Sequence, residues 1–254
     1  MRALRPLRIE VFQHVPFEGL GSMETWFSDR GHILSHTRLY AGEMPTGIPG
    51  AAGTRTAPAA DWIIVMGGPM GVHDEVDFPW LRDERSAIEA ALARGIAVLG
   101  VCLGAQLLAQ VLGAQVRRNR EREIGWFPVD LDPQAAETWL GRVFPSRFVP
   151  FHWHGDTFAI PEGATPLGRS EACANQGFLY RENVLGLQFH PEITPESLDG
   201  LMRHCGGELS AAGGPDGRHV QIVEGLRAGL AGASALNAMM ERACERLEAR
   251  AACS

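Results

Sequence analysis

Three short segments carry residue types that could do chemistry together. In Val98-Leu-Gly-Val-Cys-Leu-Gly-Ala-Gln-Leu-Leu-Ala109 an apolar run with strand character meets a helical pattern, and Cys102 stands at the junction. A thiol at that point lies near the positive end of the following helix, which favours the nucleophilic thiolate. Gly100 and Gly104 remove side chains where a sharp turn must pass its neighbours. The N–H of Leu103 is then available to an oxyanion beside the sulfur. The turn has the form of a nucleophile elbow. The competing reading is an inert buried cysteine, since free Cys packs as a small apolar residue.

Gln188-Phe-His-Pro-Glu192 places His190 and Glu192 two residues apart, on one face of an extended backbone. A carboxylate beside an imidazole fixes its tautomer and stabilises its protonated form. Cys102, His190 and Glu192 would supply nucleophile, base and orienting group. Nine histidines occur in the chain, so a chance pairing competes with this reading. Met66-Gly-Gly-Pro-Met-Gly71 leaves the carboxyl end of an apolar run, where ligands bind in open α/β sheets. No Gly-Lys-Ser/Thr follows, so a phosphate loop is a poor fit. The loop could instead present a backbone N–H, that of Gly68, to a carbonyl oxygen.

The elements around these segments alternate. Leu7–Phe12, Ile33–Leu39, Trp62–Met66 and Ile96–Val101 read as strands, and Ser22–Arg30 and Pro79–Arg94 as helices, with a further helix following Cys102. Repeated βα units predict a doubly wound, mostly parallel α/β sheet with helices on both faces. The stretch from Ala41 to Ala60 reads as a long surface connection. After Val116 come short strand-like pieces, Trp126–Leu131, Phe148–Trp153, Gly177–Tyr180 and Val184–His190, suited to a small antiparallel extension. Pro195–Leu209, Val220–Ala231 and Ala235–Ala251 read as helices, with a flexible loop bracketed by Gly206-Gly207 and the Gly213–Gly217 run. Residues 1–205 form one domain in this reading, and 206–254 a C-terminal loop and helices packing on it.

With 254 residues, 45% hydrophobic and 21% charged, the composition is that of a globular chain. The formal net charge of -7 lacks the basic footprint of a general nucleic-acid binder. Arg117, Arg118, Arg120 and Arg122 make a local basic run, read as a solvated face or a contact for an acidic partner or a nucleotide. Trp62, Trp80 and Trp139 read as packing or surface anchors. The uncharged stretch from Gly95 to Val116 is better explained by a strand and a helix than by a membrane span. Cys102, Cys173, Cys205, Cys244 and Cys253 form no CxxC pair, which points to reduced thiols in a cytoplasmic protein and to neither a disulfide framework nor a metal site.

Taken in order, Gly67-Gly-Pro-Met-Gly71, Gly100-Val-Cys-Leu-Gly-Ala-Gln106, Glu123-Ile-Gly-Trp126, His152-Trp-His-Gly-Asp156 and Gln188-Phe-His-Pro-Glu192 resemble the class I, triad-type glutamine amidotransferases. The resemblance is nearest to stand-alone proteins similar to the amidotransferase domain of GMP synthase, and covers about Leu7 to Leu201. It implies attack of Cys102 on the side-chain amide of glutamine, a γ-glutamyl thioester, and release of glutamate and ammonia. His190 matches the general base and acid, Glu192 its orienter, and Gly68 and Leu103 the oxyanion hole. Gly67, Gln106 and the 152–156 loop, with His154, Gly155 and Asp156, match substrate contacts. Trp153 departs from the Ser that GMP synthase subunits commonly carry there, which leaves the γ-glutamyl substrate open. Nothing after His190 has the length of an ATP-using synthetase domain or its pyrophosphate loop. The resemblance therefore implies no cofactor, no nucleic acid or membrane, and a separate ATP-dependent synthetase as partner; a homodimer is left open. The alternatives are a free-standing hydrolase of γ-glutamyl amides or peptides, and a non-catalytic protein that keeps the fold.

Overall fold

The computed structural model describes residues 5–45, 59–210 and 217–252. Most of the connection read over 41–60, the Gly213–Asp216 part of the flexible loop, and Cys253 lie outside them. The chain begins with β1 (Arg8–Gln13), α1 (Met23–Asp29), β2 (Ile33–Arg38), β3 (Trp62–Val65), α2 (Trp80–Ala93), β4 (Ala97–Val101) and α3 (Leu103–Val111). Next come β5 (Val116–Trp126), β6 (Val129–Leu131), α4 (Pro133–Ala136), β7 (Arg147–Phe148), β8 (Phe151–Phe158), β9 (Thr165–Pro166), β10 (Gly168–Arg169), β11 (Gly177–Tyr180) and β12 (Val184–Leu187). The chain finishes with α5 (Pro195–Cys205), α6 (Gly207–Ser210), α7 (Val223–Gly229) and α8 (Ala233–Ala251).

The central sheet has the order β2-β1-β3-β4-β12-β11-β9. Its first five strands are parallel, and β11 and β9 continue it antiparallel. β3, β4 and β12 are buried along their whole lengths, so both faces need cover and the strands read as unbroken apolar runs. On one face Ile9, Ile64, Leu99 and Leu185 pack with Phe27 of α1 and with Met240, Ala243 and Leu247 of α8. On the other, Ile63, Val65 and Val98 pack with Leu81 and Ile88 of α2 and with Leu107 and Leu108 of α3. Trp62 is fully buried in the first of these cores, a packing residue and no surface anchor.

The antiparallel part is larger than an edge to this sheet. β5 and β8 form a separate ribbon, and β10-β6-β7 a three-stranded sheet. Two expected strands are therefore divided: Trp126–Leu131 between β5 and β6, and Phe148–Trp153 between β7 and β8. The second break contains Pro150, which has no N–H for a ladder. The basic run 117–122 lies within β5, where the β5–β8 register shifts between Arg118 and Glu123. Residues 152–156 all lie in β8, so the strand expected to end at Trp153 runs on and the expectation of a loop over 154–156 is corrected. A capping box starts α5: Thr194 accepts from the Ser197 N–H, Ser197 accepts from the Thr194 N–H, and Pro195 sits where an N–H is not needed. Among the described residues no helix is long and apolar enough to cross a membrane.

Candidate active site

Cys102 connects β4 to α3 with φ 52 and ψ -107, a conformation that L side chains rarely adopt. Its N–H donates to the Leu187 carbonyl on β12 (2.8 Å), and the Gly104 N–H donates to the Met66 carbonyl at the end of β3 (3.2 Å). The turn is thus fastened to both strands that flank β4. No other residue type fits at two of its positions. A Cβ on Gly104 would collide with the Val65 carbonyl, and one on Gly100 would stand 2.6 Å from the Gly104 backbone.

The segment after β12 carries His190 and Glu192. The His190 N–H donates to the Phe151 carbonyl (2.8 Å), anchoring it to β8. His190 Nδ1 lies 2.8 Å from Glu192 Oε1, and both side chains are buried. The Cys102 sulfur acts on the same imidazole. Burial opposes a charged His190, yet the Glu192 carboxylate and the sulfur override it and hold the imidazole well above its ordinary pKa. Cys102 Sγ also lies 3.6 Å from the Trp153 carbonyl and 3.7 Å from Gln188 Nε2. Glu192 is thus hydrogen-bonded to the buried His190, and the Cys102 sulfur is among the groups that act on that imidazole.

Further backbone contacts hold Glu192 where it is. Its carbonyl accepts from the Ser22 N–H (2.9 Å), and Gly21, at φ 55, is pressed against it so closely that a Cβ would collide. Asn237 of α8 donates to the carbonyls on either side, of Pro191 (2.8 Å) and Ile193 (3.2 Å). None of these groups stood out in the sequence. An Asn in a helical pattern carries no sign of what it will touch.

Gly67 and Gly68 lie beside the cysteine turn. The Gly67 carbonyl bonds His14 Nδ1 (2.9 Å), and His14 Nε2 bonds the buried Glu84 (2.8 Å). In a trans peptide the C=O and the next N–H point opposite ways, so this tie turns the Gly68 N–H away from His14. A Cβ on Gly68 would come within 3.1 Å of Leu103 Cδ2, which makes the two amide-bearing residues neighbours. Leu103 opens α3, so its N–H has no acceptor within the helix.

Cys102 opens on a cleft lined by Glu18, Gly68, Gln106, Arg118, Arg122, Trp153, Gly155, Asp156 and Glu208 among others. Gln106 is buried and donates to Gln188 (3.2 Å). Two of the arginines read as a solvated run, Arg118 and Arg122, face this cleft. Glu18, also unforeseen, would collide with a Cβ on Gly67, and burial lifts its carboxyl to about 6 against the pull of His190 and His14. His154 borders the cleft, and its imidazole, 1% exposed, lies against Glu123 (3.1 Å). A further buried group was missed as well: Glu123, His152 and His154 converge beneath the ribbon. Its signal was the His-x-His spacing, which puts both rings on one face of a strand.

Comparison with known proteins identifies the family. The family model for class I glutamine amidotransferases matches residues 51–203. The glutamine amidotransferase-like protein YfeJ of Salmonella typhimurium is 34% identical over 226 residues, 87% of this chain and 90% of that protein. A crystal structure of a glutamine amidotransferase from Thermotoga maritima superposes with a TM-score of 0.81 at 31% identity, covering 95% of this chain and 98% of the other. The glutamine-hydrolysing GMP synthase of Thermomicrobium roseum is 37% identical over 141 residues, which span 55% of this chain and 25% of that longer protein. The elbow cysteine, the doubly covered sheet and these likenesses agree: the chain belongs to the class I glutamine amidotransferase family.

Proposed function

We propose that this protein hydrolyses the side-chain amide of glutamine through a Cys102 thioester and passes the ammonia to a separate ATP-dependent synthetase. The observation that carries this reading is the buried His190–Glu192 pair, whose imidazole also feels the Cys102 sulfur at the elbow. His190 Nδ1 is taken by Glu192, so Nε2 is the nitrogen that holds the proton shared with the Cys102 sulfur when the sulfur attacks the amide carbon. The developing oxyanion accepts from the N–H groups of Gly68 and Leu103. His190 then returns the proton to the departing nitrogen, the C–N bond breaks, and ammonia leaves. Water, deprotonated by the same imidazole, adds to the thioester; cleavage of the C–S bond frees glutamate and restores the thiol. Gly67, Gln106, Gly155 and Asp156 are the contacts for the amino-acid end of the substrate.

A second reading is a free-standing hydrolase of γ-glutamyl amides or peptides with the same acyl chemistry. Trp153 favours it, because an aromatic wall beside Cys102 offers a larger leaving amine an apolar surface. The deciding experiment incubates the purified protein with glutamine and with γ-glutamyl peptides, with and without candidate synthetases. Ammonia release from glutamine that rises when a synthetase is added supports the first reading. Turnover of peptides with none of glutamine supports the second. Failure of a glutamine-like electrophile to label Cys102 would reject both.

A further inference from the structure

We propose that Glu123, His152 and His154 bind a divalent transition-metal ion, Zn2+ by their chemistry, beneath the ribbon that borders the candidate active site. β5 and β8 place Glu123 directly opposite His154, and Gly125 opposite His152, so the three side chains share one face at adjacent positions. All three side chains are 99% buried or more.

The hydrogen bonds on the far side of each ring make the arrangement a cradle. His152 Nε2 lies 3.2 Å from the Phe127 carbonyl and His154 Nδ1 lies 3.1 Å from the Asp156 carbonyl. A carbonyl only accepts, so those nitrogens carry the hydrogens, and in the neutral rings His152 Nδ1 and His154 Nε2 present lone pairs. Both lone-pair nitrogens face Glu123 Oε2, at 3.9 and 3.1 Å. The His152 contact is too long for a hydrogen bond and the His154 contact is poorly aligned for one, so His152 Nδ1, His154 Nε2 and Glu123 Oε1 have no well-formed hydrogen bond. Gln176 Nε2 donates to Glu123 Oε2 (2.6 Å) and orients the carboxylate from outside.

Three buried lone-pair bearers converging on one point repel one another unless a positive charge sits between them. A proton can serve one such contact and leaves the rest unpaired. A divalent cation serves all three. Two imidazole nitrogens and a carboxylate oxygen are a ligand set suited to zinc, and histidines that ligate metal commonly donate their second N–H to a backbone carbonyl, as both do here. Ligands about 2.1 Å from a tetrahedral zinc stand roughly 3.4 Å apart. The three ligand atoms here all lie within 4.8 Å of one another, close enough for small side-chain movements to complete the site. Its fourth position would be filled by water from the cleft over Glu123, lined by Phe127, Ser170 and His219. Bound there, the metal would pin β8, whose Phe151 and Trp153 carbonyls contact His190 and Cys102.

The test uses the full chain carrying Cys102→Ala, so that the elbow thiol takes no metal. Metal content is measured after purification, and the chelator-treated protein is titrated with Co2+. The expected result is one equivalent of zinc or cobalt per chain, with intense visible bands of tetrahedral cobalt and no sulfur-to-cobalt charge transfer. Glu123→Gln, which keeps the shape of the side chain, should weaken cobalt binding at least the ~100-fold that loss of an outer-shell partner can reach. Absence of a stoichiometric ion, the weak spectrum of octahedral cobalt, or a charge-transfer band from cysteine would overturn the proposal. If Glu123→Gln fails to fold, the cobalt spectrum of the parent decides. If it folds and binds cobalt as the parent does, the assignment is wrong. None of these readouts depends on amide hydrolysis.

Discussion

Nδ1 of His190 lies 2.8 Å from Oε1 of Glu192, and that carboxylate is a main reason the imidazole titrates well above its ordinary range. Because the folded-state pKa of His190 is raised, the pair contributes stability that is fully present below about pH 6.5, the unfolded value, and is lost as pH rises through the folded one. Glu192→Gln should therefore destabilise the protein most in mild acid and progressively less toward high pH. Denaturant unfolding of both proteins across that range measures the difference. A constant difference would show that the carboxylate does not set the His190 titration.

The proposed mechanism gives the same pair unequal costs. His190→Ala removes the proton carrier and should reduce turnover by about 10⁶-fold, whereas Glu192→Gln leaves it misoriented and should cost about 10⁴-fold. Single-turnover ammonia release reads both values. Equal residual rates would contradict the assigned roles.

Strain at the elbow is open to a direct test. Cys102 holds φ 52, where a Cβ is unfavourable and glycine is not. Replacement by Gly should leave a protein about 1 kcal/mol or more stabler than replacement by Ala, although both lack the sulfur. Urea unfolding of the two variants compares them with the nucleophile absent from each.

Glu18 should behave as an ionisation burden on the fold. Burial lifts its carboxyl from 4.5 to about 6, so the cost of ionising it appears as pH rises through that interval and reaches roughly 2 kcal/mol at neutral pH. Glu18→Gln should raise stability by up to that amount above pH 6 and by little below pH 4.5. Unfolding curves at pH 4 and pH 7.5 give the contrast.

Asn237 holds the carbonyls on both sides of Glu192 and touches no atom assigned to the reaction. Asn237→Ala should lower kcat several-fold with KM little changed, because it loosens the orienting carboxylate and leaves the substrate contacts alone. An equal rise in KM would place its effect on substrate binding.

Much of this was legible in the primary chain because it is written in local patterns. The βα alternation follows from apolar runs and amphipathic helices. The elbow follows from Cys102 between two glycines, and the shared face of His190 and Glu192 follows from the two-residue period of extended backbone. The ribbon was less legible. β5 joins an arginine-rich stretch to a buried Glu123-Ile-Gly-Trp126 end, so its burial changes along the strand and no single period announces it. His154 looked like a loop residue because the strand that buries it has its partner some thirty positions earlier in the chain.

The amino-acid order by itself determined which groups could react and which backbone turn could hold a nucleophile, since both depend on residue type and near neighbours. Tertiary structure alone decided that Glu18, Arg118 and Arg122 border the cleft, that His154 faces Glu123, and that Asn237 steadies Glu192. Those relationships join segments by packing and hydrogen bonds across the fold, and a side chain's partner over such a separation is set by how the layers close.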